Sequence, residues 1–237
     1  MSTLYAISDL HLDYDENKSA LDAMSFCPED GLLLVGDISH DMTHFEYCLD
    51  KLSKRFKQVF WVPGNHDLWT LNPNEEPTGE EKYKALVTCC QSHGVFTPED
   101  PFQTWVTPSQ TYVIALCFVL YDYTFCPPEM LPEKAIKWAA EQGVYCSDET
   151  HMYSDPYPDK PSWCHARFEY TDNKLKSYKN DSIILVNHYP ISYETVFLPR
   201  IPRFSVWSGT VLTETWLKSY PIHSVVYGHL HVRQRFE

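Results

Sequence analysis

The chain has 237 residues, 43% of them hydrophobic, and a formal charge of −13, which is enough length for one large domain or two small ones and enough apolar material for a sizeable core. That charge argues against nucleic acid as a partner, because binding a phosphate backbone relies on Lys and Arg. No apolar run nears the ~18 residues a membrane helix needs, and the start "MSTLYAISDL" lacks the basic and apolar regions of an export signal, so a soluble cytoplasmic protein is expected.

In chain order, strand-like runs alternate with polar turns: "LYAIS" before Asp9, "LLLV" before Gly36 and Asp37, "QVFWV" before "PGNHD", "YVIALCFVL" before "YDYTF", "SIILV" before Asn187 and His188, and "SVVY" before Gly228 and His229. Several are continuously apolar, as in a sheet covered on both faces. Helices are predicted over 41–55, 80–92, 132–142 and 210–219, the third with Pro132 in its first turn. Strand and helix alternate in the first half, which predicts an α/β fold. Residues 121–180 break the pattern with aromatics, prolines and charges, and are expected to fold over the sheet as a lid-like insertion within a single domain. The eight cysteines show no CxxC spacing and are expected as reduced thiols.

Each strand end delivers metal-ligand side chains: Asp9 and His11 in "SDLHL", Asp37 in "VGD", Asn65 and His66 in "GNHD", His188 in "VNH", and His229 and His231 in "GHLH". Carboxylate and amide oxygens with imidazoles suit manganese, iron, zinc or magnesium, and a set without cysteine points to a catalytic rather than a structural site. If the backbone stays extended, Asp9 and His11, like His229 and His231, share a face and act as pairs. A lone DxH or HxH occurs by chance in many chains. Five such elements in order, each at a strand end, form a pattern.

That order, DxH, GD, GNHD, H and GHxH from Asp9 to His231, resembles the calcineurin-like metallophosphoesterase family. The resemblance implies a four-layer α/β/β/α sandwich and two divalent cations, with manganese, iron, zinc and magnesium as candidates. Asp9, His11 and His231 would hold one cation, Asn65, His188 and His229 the other, with Asp37 between them. It also places His66 outside the metal shell, facing the phosphate, with Asp67 behind to orient its ring. Two cations about 3.5 Å apart would supply a bridging hydroxide from a shared water and hold the phosphoryl oxygens, so hydrolysis would need no covalent intermediate. Relatives of that family continue through further strands, whereas this sequence stops six residues after His231, and a sheet edge left open there would invite pairing.

For the substrate, Tyr123 in "YDYTF" and Trp207 in "RFSVWSGT" are candidates to stack on an organic group, and Arg200 and Arg203 to grip a phosphate. With "VVYGHLH", these stretches resemble a bacterial branch of the family that includes a hydrolase removing phosphopantetheine from acyl carrier proteins, which implies a phosphodiester. A charge of −13 would not attract an acidic carrier, so steering would fall to residues 196–237, where five basic residues face two acidic ones. A small organic phosphodiester, a phosphomonoester including phosphoprotein, and a non-catalytic scaffold are the alternatives. The last would be expected to lose ligands, and none is lost.

Overall fold

The computed structural model describes residues 2–232 and 234–236; Arg233 and Glu237, counted above in the basic end, lie outside them. The elements run β1 (Leu4–Ile7), α1 (Asp15–Asp22), β2 (Cys27–Leu34), α2 (Met42–Arg55), β3 (Phe56–Trp61), α3 (Asn65–Leu68), α4 (Gly79–Ser92), β4 (Gln103–Val106), β5 (Thr111–Leu116), α5 (Ala135–Ala140), α6 (Asp148–His151), α7 (Lys160–Leu175), β6 (Ile183–Val186), α8 (Glu214–Ser219) and β7 (Ile222–Val226). Two sheets result, ordered β1-β2-β3 and β4-β5-β6-β7. All pairings are parallel except that of β4 with β5.

The continuous apolar runs are explained by burial on both strand faces. Leu33, Val35, Phe60 and Val62 of the first sheet meet Trp105, Ile114, Leu116 and Val186 of the second in one apolar layer. Their alternating neighbours Leu32, Leu34, Val59 and Trp61, with Val113, Ala115 and Leu185 of the second sheet, belong instead to the cluster that contains Phe45, Leu49 and Leu52 of α2 and Trp163 and Leu175 of α7. The outcome is a four-layer α/β/β/α sandwich. Each such fully buried side chain contributes roughly 1.5–3 kcal/mol relative to exposure.

Local chemistry supports the helices. Asp41 caps α2 by accepting from the backbone N–H of Thr43 at 2.7 Å and His44 at 3.2 Å, and Lys54 and Arg55 sit in its last turn, where the helix dipole favours cations. The predicted helices at 132–142 and 210–219 each begin as a short 3₁₀ turn and continue as α5 and α8. Beyond the predicted 132–142 helix, the 121–180 stretch also holds α6 and the sixteen-residue α7, which its broken pattern did not predict. Parallel β5 and β6 require a crossover, and α7 lies on it. Its buried stripe of Trp163, Cys164, Arg167, Thr171 and Leu175 includes two polar residues, which hides the helical periodicity. Arg167 is accommodated by Glu99, 2.6 Å from its Nη2, and by the rings of Tyr83, Phe118 and Tyr170. All eight cysteines are free thiols. No helix among the described residues is long and apolar enough to cross a membrane.

Candidate metal centre

Parallel strands put their carboxyl ends on one side, where open α/β sheets gather their polar loops. The residues following β1, β2, β3, β6 and β7 converge there. Asp9, His11, Asp37, His229 and His231 all have left-handed backbones, with φ of 56°, 43°, 56°, 66° and 52°. This corrects the expectation that the i, i+2 pairs are brought together by extended strand. Left-handed turns beyond the strand ends do it, at a conformational cost tolerated where the surroundings over-determine the geometry. Gly64 is required for a different reason: a Cβ there would stand 2.1 Å from Asp37 Oδ1.

One oxygen of Asp37, buried at 1% exposure, faces both groups of histidines. Its Oδ2 is 3.9 Å from His11 Nε2 and 3.4 Å from His188 Nε2. On one side, His231 Nε2 lies 3.3 Å from Asp9 Oδ1 and 3.1 Å from His11 Nε2, and donor atoms of Asp9, His11, Asp37 and His231 all fall within 4.8 Å of one another. On the other, His229 Nδ1 is 3.1 Å from Asn65 Oδ1. His188 donates from Nδ1 to the Val35 carbonyl at 2.8 Å, which directs its other nitrogen into the centre. That Nε2 is buried with no hydrogen-bond partner among the described residues. Burial lowers the basicity of His188, but the Asp37 carboxylate more than reverses this and takes it up to about 10. A buried imidazole nitrogen without a hydrogen-bond partner, facing a carboxylate, is a position built for a cation. The donor set fits one, and being oxygen and imidazole it fits the divalent ions named above.

His66 lies at the mouth, in a cleft of about 310 Å³ shared with His11, His231, Trp69, Tyr14 and His40. Its ring stacks on Trp69 at 3.7 Å and meets His11 edge-on at 4.5 Å, and the backbone N–H of His66 donates to Asp37 Oδ1 at 2.8 Å. Burial pushes this imidazole down to about 4, so it rests neutral at pH 7. Asp67 does not stand behind it as expected. Its oxygens accept four backbone N–H bonds, Oδ1 from Ile38 at 2.7 Å and Ser39 at 3.2 Å, Oδ2 from Gly64 at 3.0 Å and Asp37 at 3.1 Å. Asp67 therefore ties the Asp37 and Asn65 loops together rather than orienting the His66 ring.

The expected substrate residues fare unevenly. Trp207 is 1% exposed and donates its indole N–H to Glu149 Oε1 at 2.8 Å, so its ring is core. Arg203 bonds the Trp138 carbonyl and Glu141 and lies 4.5 Å over the Trp138 ring, which commits it to α5 instead of a phosphate. Tyr123, with φ 67°, donates to the same Glu149 oxygen at 3.0 Å and lines a separate cavity of about 620 Å³. Arg200 is exposed. Phe204, which sequence reasoning passed over, is the member of that segment near the centre, its ring 5.8 Å from His229. A second omission is Asp148, fully buried and bonded to Asn65 Nδ2 at 2.9 Å across 83 residues of sequence. No local signal marks such a contact.

A family model described as calcineurin-like phosphoesterase matches residues 2–233. The chain belongs to the calcineurin-like phosphoesterase family. It is accordingly a metal-dependent hydrolase of phosphoesters, acting at a dinuclear centre of divalent cations. Among curated members, it is 38% identical over 235 residues to the acyl-carrier-protein phosphodiesterase PptH of Mycobacterium tuberculosis, covering 97% of this chain and 72% of that protein. The uncharacterised protein L509 of Acanthamoeba polyphaga mimivirus is 22% identical over 263 residues, which span all of this chain and 87% of the viral protein. The crystal structure of the phosphopantetheinyl hydrolase PptH from Mycobacterium tuberculosis superposes with a TM-score of 0.91 at 36% identity, covering 98% of this phosphoesterase and 84% of that chain.

Proposed function

We propose that this phosphoesterase cleaves the phosphodiester linking phosphopantetheine to the serine of a carrier protein. The observation that carries the reading is its 38% identity, over 97% of the chain, to a protein named for that substrate class. Asp9, His11 and His231 hold one cation and Asn65, His188 and His229 the second, with Asp37 between them. Support comes from the Asp37 oxygen that faces both histidine groups. Manganese or iron suits this oxygen and imidazole set, with zinc and magnesium as alternatives. The cations, when bound, supply an activated water and neutralise charge building on the phosphoryl oxygens.

The chain's own groups do the rest. His66, neutral at rest, is drawn toward its protonated form by an anionic diester beside it and can then deliver a proton to the departing alkoxide. Trp69 fixes the plane of that ring by stacking. Asp67 holds the two ligand loops in register from below. Phe204 beside His229 offers apolar surface to the organic arm.

The test is to strip the protein of metal, refill it with Mn²⁺, and follow a phosphopantetheinylated carrier by mass spectrometry alongside bis(4-nitrophenyl) phosphate and 4-nitrophenyl phosphate. Loss of the phosphopantetheine mass and diester turnover are expected, both abolished by Asp37→Ala. Turnover of the monoester with the carrier left intact would refute the reading in favour of a phosphomonoesterase.

A further inference from the structure

A buried carboxylate is expensive to keep and an apolar side chain would serve packing better, so Asp148, at 0% exposure, calls for a reason. Three neutral donors meet on it, two from the Asn65–Trp69 segment and one from Tyr121. Asn65 Nδ2 at 2.9 Å and Trp69 Nε1 at 2.7 Å both donate to Oδ1, and the Tyr121 hydroxyl donates to Oδ2 at 3.1 Å.

The polarity of these bonds matters. The two ends of a carboxamide are nearly the same shape, but only its oxygen can ligate a cation. A carboxylate can only accept, so Asp148 demands the NH₂ end of Asn65 and turns Oδ1 toward His229 Nδ1, 3.1 Å away. The same carboxylate oxygen anchors Trp69, whose ring lies 3.7 Å from His66 at an interplanar angle of 29°. Backbone contacts clamp the two segments as well: Trp69 pairs with Met152 as an isolated bridge, and the Thr70 N–H donates to the His151 carbonyl at 2.9 Å.

We propose that Asp148 is a positioning residue of the centre: it holds the Asn65 carboxamide with its oxygen toward the second cation and, through Trp69, sets the plane of His66. This rests on the reading of Asn65 as a ligand. Titration of Mn²⁺ into metal-free protein tests it separately from turnover. Asn65→Ala should weaken one of two Mn²⁺ sites, and if it does not, the ligand reading itself fails.

Given that result, Asp148→Ala should weaken the same site by about 10–100-fold, the usual consequence of removing an outer-shell partner, while the metal-free protein still melts cooperatively. Asp148→Asn should remain within about threefold of wild type, because its amide oxygen can accept both bonds and its NH₂ can donate to Tyr121. In the Asn65→Ala background, Asp148→Ala should cost less than about twofold more, since groups acting through one contact are not additive. Wild-type affinity at both sites in Asp148→Ala, or losses that add in full to those of Asn65→Ala, would overturn the proposal. If Asp148→Ala does not fold, Asp148→Asn decides: a loss as large as that of Asn65→Ala would overturn it, and near-wild-type binding would uphold it.

Discussion

Gly64 offers a sharp test of how closely the ligand loops are fitted. Its φ of −96° is ordinary for any residue, so Gly64→Ala carries no backbone strain and its effect is purely steric. The new methyl would stand 2.1 Å from Asp37 Oδ1 and 2.5 Å from the Asp37 nitrogen, against ordinary contact beginning near 3.4 Å, so Asp37 must retreat by about 1.3 Å. It cannot do so freely, because its N–H and that of Gly64 are tied to the same Asp67 oxygen at 3.1 and 3.0 Å. A displacement of about 1 Å in a catalytic constellation costs roughly 100-fold in rate, equivalent to about 2.7 kcal/mol of barrier. The assay is kcat on bis(4-nitrophenyl) phosphate with Mn²⁺, with Mn²⁺ stoichiometry and the melting temperature of the metal-free protein measured alongside. A cooperatively folded variant with turnover within threefold of wild type would refute the reasoning.

Three other outcomes are expected. Asp67→Asn must point an NH₂ at two backbone N–H donors whichever way it turns, and should destabilise the protein by about 3 kcal/mol, read as a lower urea midpoint with unchanged slope. Arg203→Ala should lower stability by about 1 kcal/mol through lost contact with Trp138 while leaving kcat/KM on the diester unchanged; a fall in kcat/KM would restore Arg203 as a phosphate contact. Burial alone would raise the Glu99 carboxyl, but Arg167 and the Tyr83 hydroxyl outweigh it and hold it below its ordinary value of 4.5. Its folded pKa being the lower, the stability advantage of wild type over Glu99→Gln should be full above that ordinary value and fade as the pH falls through the depressed one, which denaturation at several acidic pH values would measure.

What could be read from the chain depended on distance along it. The metal-ligating motifs are local: each sits within a few residues of the strand that presents it, so Asp9, Asp37, Asn65, His188 and His229 stood out before any coordinates. The left-handed backbones of Asp9, His11, Asp37, His229 and His231 did not, because DxH and HxH look the same extended or turned. Helix α7 was hidden by Arg167 and Thr171 in its buried stripe, and a polar residue on an inner face reads as a break in periodicity until its partner Glu99 is known. Trp207 and Arg203 show the converse difficulty, since an aromatic and a cation near a motif suggest a ligand when Glu149 and Trp138 already occupy them. Asp148 lies 83 residues from Asn65, and no pattern of spacing links the two.

The four bonds to Asp67 bear on how the enzyme would handle its metals. Three join the Asp37 loop to the Asn65 loop and the fourth closes the Asn65 loop on itself, all through backbone N–H groups that no cation touches, so those loops are ordered by folding and not by coordination. Little conformational entropy is then left for a metal to remove on arrival. Cations would enter and leave a preformed cradle without melting it, and the identity of the occupants would follow supply in the cell as much as the shape of the site.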